Sequence, residues 1–122
     1  MMQILMVDDE VSILEQAKIF LKRKDDRLDI DTATSAEEAL QKLSVTDYDA
    51  IVSDYQMPGM DGLDLLKTLR KERESSIPFI ILTGRGDEDV AVEALNNGAN
   101  SYLRKGSGSG KVAEKYSLLA KN

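Results

Sequence analysis

The sequence predicts an α/β fold, a single parallel sheet of five strands with helices on both faces, and three observations carry that prediction. Apolar runs of strand length alternate five times with segments of helical periodicity. Three of the runs are continuously apolar, as strands covered on both sides must be, whereas the other two alternate or are mixed, as edge strands are. Helix start and stop signals fall between the runs at the expected offsets.

Each element can be justified in order. QILMV (3–7) is the first strand, and Ile13, Leu14, Ala17, Phe20 and Leu21 then recur on one helical face. LDIDTA (28–33) alternates as a half-covered strand does; Ser35 and Glu38 follow in capping-box spacing and open a helix carrying Ala39, Leu40 and Leu43. AIVSD (50–54) is the third strand, and a helix starting near Asp61 places Leu65, Leu66 and Leu69 inside. FIILT (79–83) precedes a fourth helix that starts near Asp87, turns Val90, Ala91, Ala94 and Leu95 inward and stops at Gly98. SYLRK (101–105) is the last strand, and KVAEKYSLLAKN (111–122) carries Val112, Ala113, Tyr116, Leu119 and Ala120 on the face of a fifth helix. The basic runs KRK (22–24) and RKER (70–73) read as solvated helix ends, where cations oppose the negative pole. With right-handed crossovers and the second and fifth strands at the edges, the order is 2-1-3-4-5, a flavodoxin-like (βα)5 sheet. Its topological switch lies between strands 1 and 3, and ligands of such sheets bind beyond the carboxyl ends of the strands there.

Composition bounds the function. At 122 residues the chain suits one domain spanning 1–122 and is too short for an added output domain. Hydrophobic content of 42% and charged content of 31% describe an ordinary globular protein, and no apolar run approaches the roughly 20 residues of a spanning helix. MMQILMVDDE lacks the basic start of a secretory signal, so a cytoplasmic location with no membrane contact is expected. With no Cys, thiol chemistry and zinc clusters are excluded; with no His, so are the commonest general base and transition-metal ligand. A formal net charge of −6 argues against a nucleic-acid surface.

The chemistry collects at the carboxyl ends of the strands. The first strand ends in Asp8 and Asp9, the third in Asp54, the fourth in Thr83 and the fifth in Lys105. Taken singly, each has an ordinary explanation: Asp8 and Asp9 suit helix caps, Thr83 a turn and Lys105 the surface. Their conjunction does not. Converging carboxylates repel and raise one another's pKa unless a cation sits among them, and an all-oxygen donor set suits Mg²⁺. A lysine adds positive charge for an anion and a threonine adds a hydroxyl donor, which together describe a carboxylate nucleophile that accepts a phosphoryl group.

The stretches ILMVDDE (4–10), IVSDYQMPGMDG (51–62), FIILTGRG (79–86) and GANSYLRK (98–105) resemble, in order and over nearly the whole chain, the response-regulator receiver domains of two-component signalling. The resemblance implies that Asp54 is the phosphoacceptor, that Asp9, Asp54 and the carbonyl of Gln56 hold Mg²⁺, and that Asp8 helps through water. It makes Lys105 the phosphate-binding cation, Thr83 the switch hydroxyl and Tyr102 the switch aromatic, and it sets Gln56 and Arg85 beside the water that attacks the acyl phosphate. It implies a sensor histidine kinase as phosphodonor and a protein partner on the face of helix 4, strand 5 and helix 5, with self-dephosphorylation as the only turnover. The chain departs from the family pattern after Lys105, where Gly106 begins a Gly/Ser stretch to Gly110 in place of the usual proline. That stretch has the composition of a flexible linker, native or engineered. Two other functions share the residues or the sheet. An aspartyl phosphatase of the haloacid dehalogenase type would carry D-x-D after the first strand, where this chain has DDEV. A flavodoxin-like cofactor binder would need a phosphate loop where this chain has acids.

Overall fold

The structure is a computed structural model and describes residues 2–84 and 86–104. Its elements in chain order are β1 (Met2–Val7), α1 (Val11–Lys24), β2 (Leu28–Ala33), α2 (Ala36–Val45), β3 (Ala50–Asp54), α3 (Gly62–Lys67), β4 (Phe79–Thr83), α4 (Glu88–Asn96) and β5 (Ser101–Arg104). The expected fifth helix and the Gly/Ser stretch lie outside the described residues. The five strands form one parallel sheet in the order β2-β1-β3-β4-β5, as the pattern of apolar runs predicts. β2 and β5 are the edges, and their burial alternates or is partial, whereas β3 is buried at every residue.

The pleat divides the core into two layers. Leu5, Val7, Ile51, Phe79 and Ile81 pack on one face against Ala36 and Ala39 of α2, Leu63, Leu65 and Leu66 of α3 and Ala94 of α4. Ile4, Met6, Val52 and Ile80 pack on the other face against Leu14 and Leu21 of α1. Each of these large side chains stabilises the fold by about 1.5–3 kcal/mol when fully buried.

Helix starts follow the sequence closely. Ser35 caps α2 by accepting from Glu38 N at 3.0 Å, while the Glu38 carboxylate accepts from Thr34 N at 2.6 Å, one residue before the cap. Asp61 and Asp64 form a reciprocal capping box at the start of α3. The last turn of α3 widens into a π turn over Thr68–Glu72, closed by Arg73 N donating to Thr68 O at 3.1 Å.

Three expectations need correction. On α1 only Leu14 and Leu21 are buried, with Ala17 between them, while Ile13 is 39% and Phe20 40% exposed. The helix meets the sheet along the narrow 14-17-21 stripe, so residues one position earlier are rotated out by about 100°. Lys24 Nζ covers the Phe20 ring at 5.2 Å from its centroid. On α4, Leu95 is exposed for the same reason, Ala91 and Ala94 being the buried pair. The basic runs are more than solvated ends. Lys22 Nζ donates to the carbonyls of Asp26 and Leu28 at 2.8 Å each, and Arg73 reaches Leu40 O at 3.1 Å. Arg70 donates to Gly98 O at 2.8 Å and to Ser75 O at 2.9 Å, so it ties the end of α3 to the turn after α4.

Candidate functional site

The chain leaves β1 toward one edge of the sheet and β3 toward the other, which opens a crevice at their carboxyl ends. Asp8 and Asp9 follow directly on Val7, the last residue of β1. Asp8 N donates to Ala33 O at 3.1 Å, and this bond carries the pairing with β2 one residue further and holds Asp8 inside. Asp8 is 3% exposed, whereas Asp9 faces solvent. The cap of α1 is Glu10, with no side-chain capping bond, so neither aspartate is spent as the helix cap; Asp8 Oδ1 accepts from Glu10 N at 2.9 Å in a local turn.

β3 delivers Asp54 to the same place, 2% exposed at the end of a fully buried strand. One carboxylate oxygen from each of Asp8, Asp9 and Asp54 lies within 4.8 Å of the others. Two unit charges at such a separation repel by about 3–4 kcal/mol at an effective dielectric of about 20. Three hard oxygens at this spacing, two of them buried, fit a hard divalent cation that keeps part of its water shell.

The loop that follows is pinned at both ends. Tyr55 N donates to Leu82 O on β4 at 2.9 Å, and Tyr55 O accepts from Gly62 N, the first residue of α3, at 2.8 Å. Between the pins Gly59 takes a φ of +76°, which suits glycine, and Gln56 is exposed two residues past Asp54. Tyr55, Gln56, Met57, Pro58, Gly59 and Asp61 line an open depression beside the carboxylates. Burial pushes the Tyr55 phenol up, and the carboxylates of Asp61 and Asp87 push the same way. Burial also raises Asp61.

Thr83 closes β4 and is 2% exposed, and the turn after it is fixed by Gly84 N donating to Asp87 Oδ2 at 2.9 Å. Tyr102 pairs with Ile81 and Arg104 with Thr83, so the alternating pleat sets Tyr102 on the same sheet face as Thr83, two residues back from the carboxyl edge. The Tyr102 ring is 43% exposed. The structure thus brings Asp8, Asp9 and Asp54 together, with Gln56 two residues past Asp54 on the chain and Thr83 one residue past Leu82, the partner of Asp54 on β4, while Tyr102 stays exposed on β5; Lys105 and Arg85 lie outside the described residues. The pins on the loop have only an indirect signal in the sequence. The Asp61-Gly62-Leu63-Asp64 run, a capping box with glycine at the first helical position, was the available signal.

Comparison with known proteins follows the same residues. The family model for the response regulator receiver domain matches residues 4–117. The chain is 38% identical over 104 residues to the two-component response regulator PhoP of Pseudomonas aeruginosa, covering 85% of this chain and 45% of that protein. It is 34% identical over 103 residues to the transcriptional regulatory protein ResD of Bacillus subtilis, covering 84% of this chain and 41% of ResD. The chain therefore spans less than half the length of these curated relatives. Among solved structures, a response regulator receiver domain protein from Clostridium thermocellum is 31% identical with a TM-score of 0.90, over 99% of this chain and 95% of that one.

Proposed function

Because this chain belongs to the response regulator receiver domains, we propose that it is a stand-alone phosphoacceptor switch whose Asp54 takes a phosphoryl group from a sensor histidine kinase in the cytoplasm. The observation that carries this reading is the convergence of Asp8, Asp9 and Asp54 within 4.8 Å. An Asp54 carboxylate oxygen attacks phosphorus, the phosphorus–nitrogen bond of the donor phosphohistidine breaks, and an acyl phosphate forms on Asp54. Asp9, Asp54 and the Gln56 carbonyl would hold Mg²⁺, with Asp8 acting through water. When bound, the ion offsets the charge that spreads over the phosphoryl oxygens. Lys105 contributes a fixed positive charge for the phosphoryl group, and Thr83 a hydroxyl that donates to it. Gln56 and Arg85 border the water that later hydrolyses the acyl phosphate.

The readout follows from the sheet. Thr83 moves toward the phosphoryl group, Tyr102 on the neighbouring strand turns into the space it leaves, and the surface around α4 and β5 changes for a protein partner. The relatives named as two-component and transcriptional regulators support a phosphate-receiving role. Incubation with a radiolabelled phosphodonor and Mg²⁺ tests it: the wild type should hold acid-stable, base-labile label, and Asp54→Asn should hold none. Label on Asp54→Asn would identify another acceptor, and rapid multiple-turnover phosphate release would identify a phosphatase.

A further inference from the structure

The acceptor's side chain occupies one face of β3, but its main-chain carbonyl is gripped from the other. The pleat turns Ser53 away from the Asp54 carboxylate. Ser53 is fully buried, and its Oγ donates to Asp54 O at 2.9 Å. Gly62, the first residue of α3, presses on the same oxygen. A Cβ added at Gly62 would lie 2.3 Å from Asp54 O, 3.1 Å from Asp54 C and 3.1 Å from Tyr55 Cα. No left-handed φ is recorded at Gly62, in contrast to Gly59 at +76°, so its need for glycine is one of room rather than of backbone conformation. Its N–H simultaneously donates to Tyr55 O at 2.8 Å, and Tyr55 N donates to Leu82 O at 2.9 Å. Two consecutive peptide groups, Asp54-Tyr55 and Tyr55-Gln56, are thereby held between β4 and the start of α3.

The geometry points to Ser53 and Gly62 as positioning residues for transfer at Asp54, an inference that rests on the phosphoacceptor reading above. Neither touches the phosphoryl group. They fix the carbonyl from which the Asp54 side chain springs and the peptide that leads to Gln56, and so set the separation between the nucleophile and the rest of the oxygen set. A methyl group at Gly62 has to displace the Asp54 carbonyl or lift the start of α3. Backbone atoms cannot rotate aside as a flexible side chain can, and a displacement near 1 Å at a reacting group costs about 100-fold in rate.

The test measures labelling by phosphoramidate with increasing Mg²⁺, together with urea stability, for wild type, Gly62→Ala and Gly98→Ala. Gly98 serves as the remote control, since its φ of +99° and the 3.0 Å that would separate an added Cβ from Arg70 Nε make alanine destabilising there without touching the site. Gly62→Ala should label about 10- to 100-fold more slowly and need more Mg²⁺ for half its maximal rate, while Gly98→Ala, at a comparable loss of stability, labels like wild type. Wild-type rate and Mg²⁺ dependence in Gly62→Ala would overturn the inference, as would equal slowing in Gly98→Ala. Should Gly62→Ala fail to fold, Ser53 decides: Ser53→Ala should slow labelling by about 2- to 10-fold and Ser53→Thr, which keeps the hydroxyl, should restore it. Equal rates in Ser53→Ala and wild type reject the role. An unlabelled wild type overturns the phosphoacceptor reading itself, and this inference with it.

Discussion

Asp54 and Tyr48 show how differently single residues declare themselves. Asp54 is legible because an apolar strand that ends in a buried acid contradicts ordinary burial preferences, and the contradiction repeats at Asp8. Gly62 is not legible in the same way, since a glycine in a turn-rich stretch gives no sign that its missing side chain would strike Asp54 O. Tyr48 is silent in the sequence. In the structure its phenol donates to the Asp31 carboxylate, which also accepts from Lys42 Nζ at 3.2 Å, and so joins the end of α2 to β2. Burial and the Asp31 hydrogen bond push the Tyr48 phenol up to about 12 from 10.0. A raised folded-state pKa means that the neutral phenol's contribution is complete below pH 10 and is lost as pH rises toward 12. Tyr48→Phe should therefore cost about 1–2 kcal/mol at neutral pH, and the difference from wild type should shrink between these two pH values. Urea unfolding across that window checks it, and a pH-independent difference would mean that the hydrogen bond contributes nothing.

At the scale of elements, periodicity located all five strands and the four described helices, because burial on both sides of a sheet writes continuous apolar runs and burial on one side of a helix writes a stripe. The width of a stripe is less visible. Leu14 and Ile13 are equally apolar, yet only contact geometry decides that Leu14 meets the sheet and Ile13 meets solvent. The basic run after Leu69 departs from the sequence expectation for a related reason, since charge at a helix end looks solvated until the π turn aims Arg70 at carbonyls 28 and five residues ahead. Desolvation lowers the Arg70 pKa, consistent with a guanidinium that is used structurally. Arg70→Met keeps much of the length and apolar stem but removes every donor to Gly98 O and Ser75 O. It should lower stability by about 1–3 kcal/mol, read as a lower urea midpoint with unchanged slope. An unchanged midpoint would show those carbonyls to be satisfied by water. Arg70→Lys should recover only part of the loss, because an ammonium cannot reproduce the planar fork.

Any ion that binds only the folded chain stabilises the whole of it by mass action. Saturating Mg²⁺ at a hundredfold above its Kd should stabilise the fold by about 2.7 kcal/mol, and Asp9→Ala should lose most of that gain in a melting series with and without the ion. Equal Tm shifts in Asp9→Ala and wild type would remove Asp9 from the metal set. Phosphorylation and partner binding should be reciprocal, with a coupling of about 1–3 kcal/mol, so a partner tightens beryllofluoride binding by the factor that beryllofluoride tightens the partner. Thr83→Ala should shrink both effects together while Asp54 still labels; undiminished coupling would route the signal elsewhere. The division of labour across the sheet has a further consequence for substitution at the site. The large apolar side chains that hold the two layers together lie along the strands and helices, whereas Asp8, Asp9, Asp54 and Thr83 sit at or just past strand ends. Chemistry and architecture are therefore carried by different residues, none of the four polar ones belonging to either apolar layer, so Asp54→Asn should leave the packing of both layers as it is.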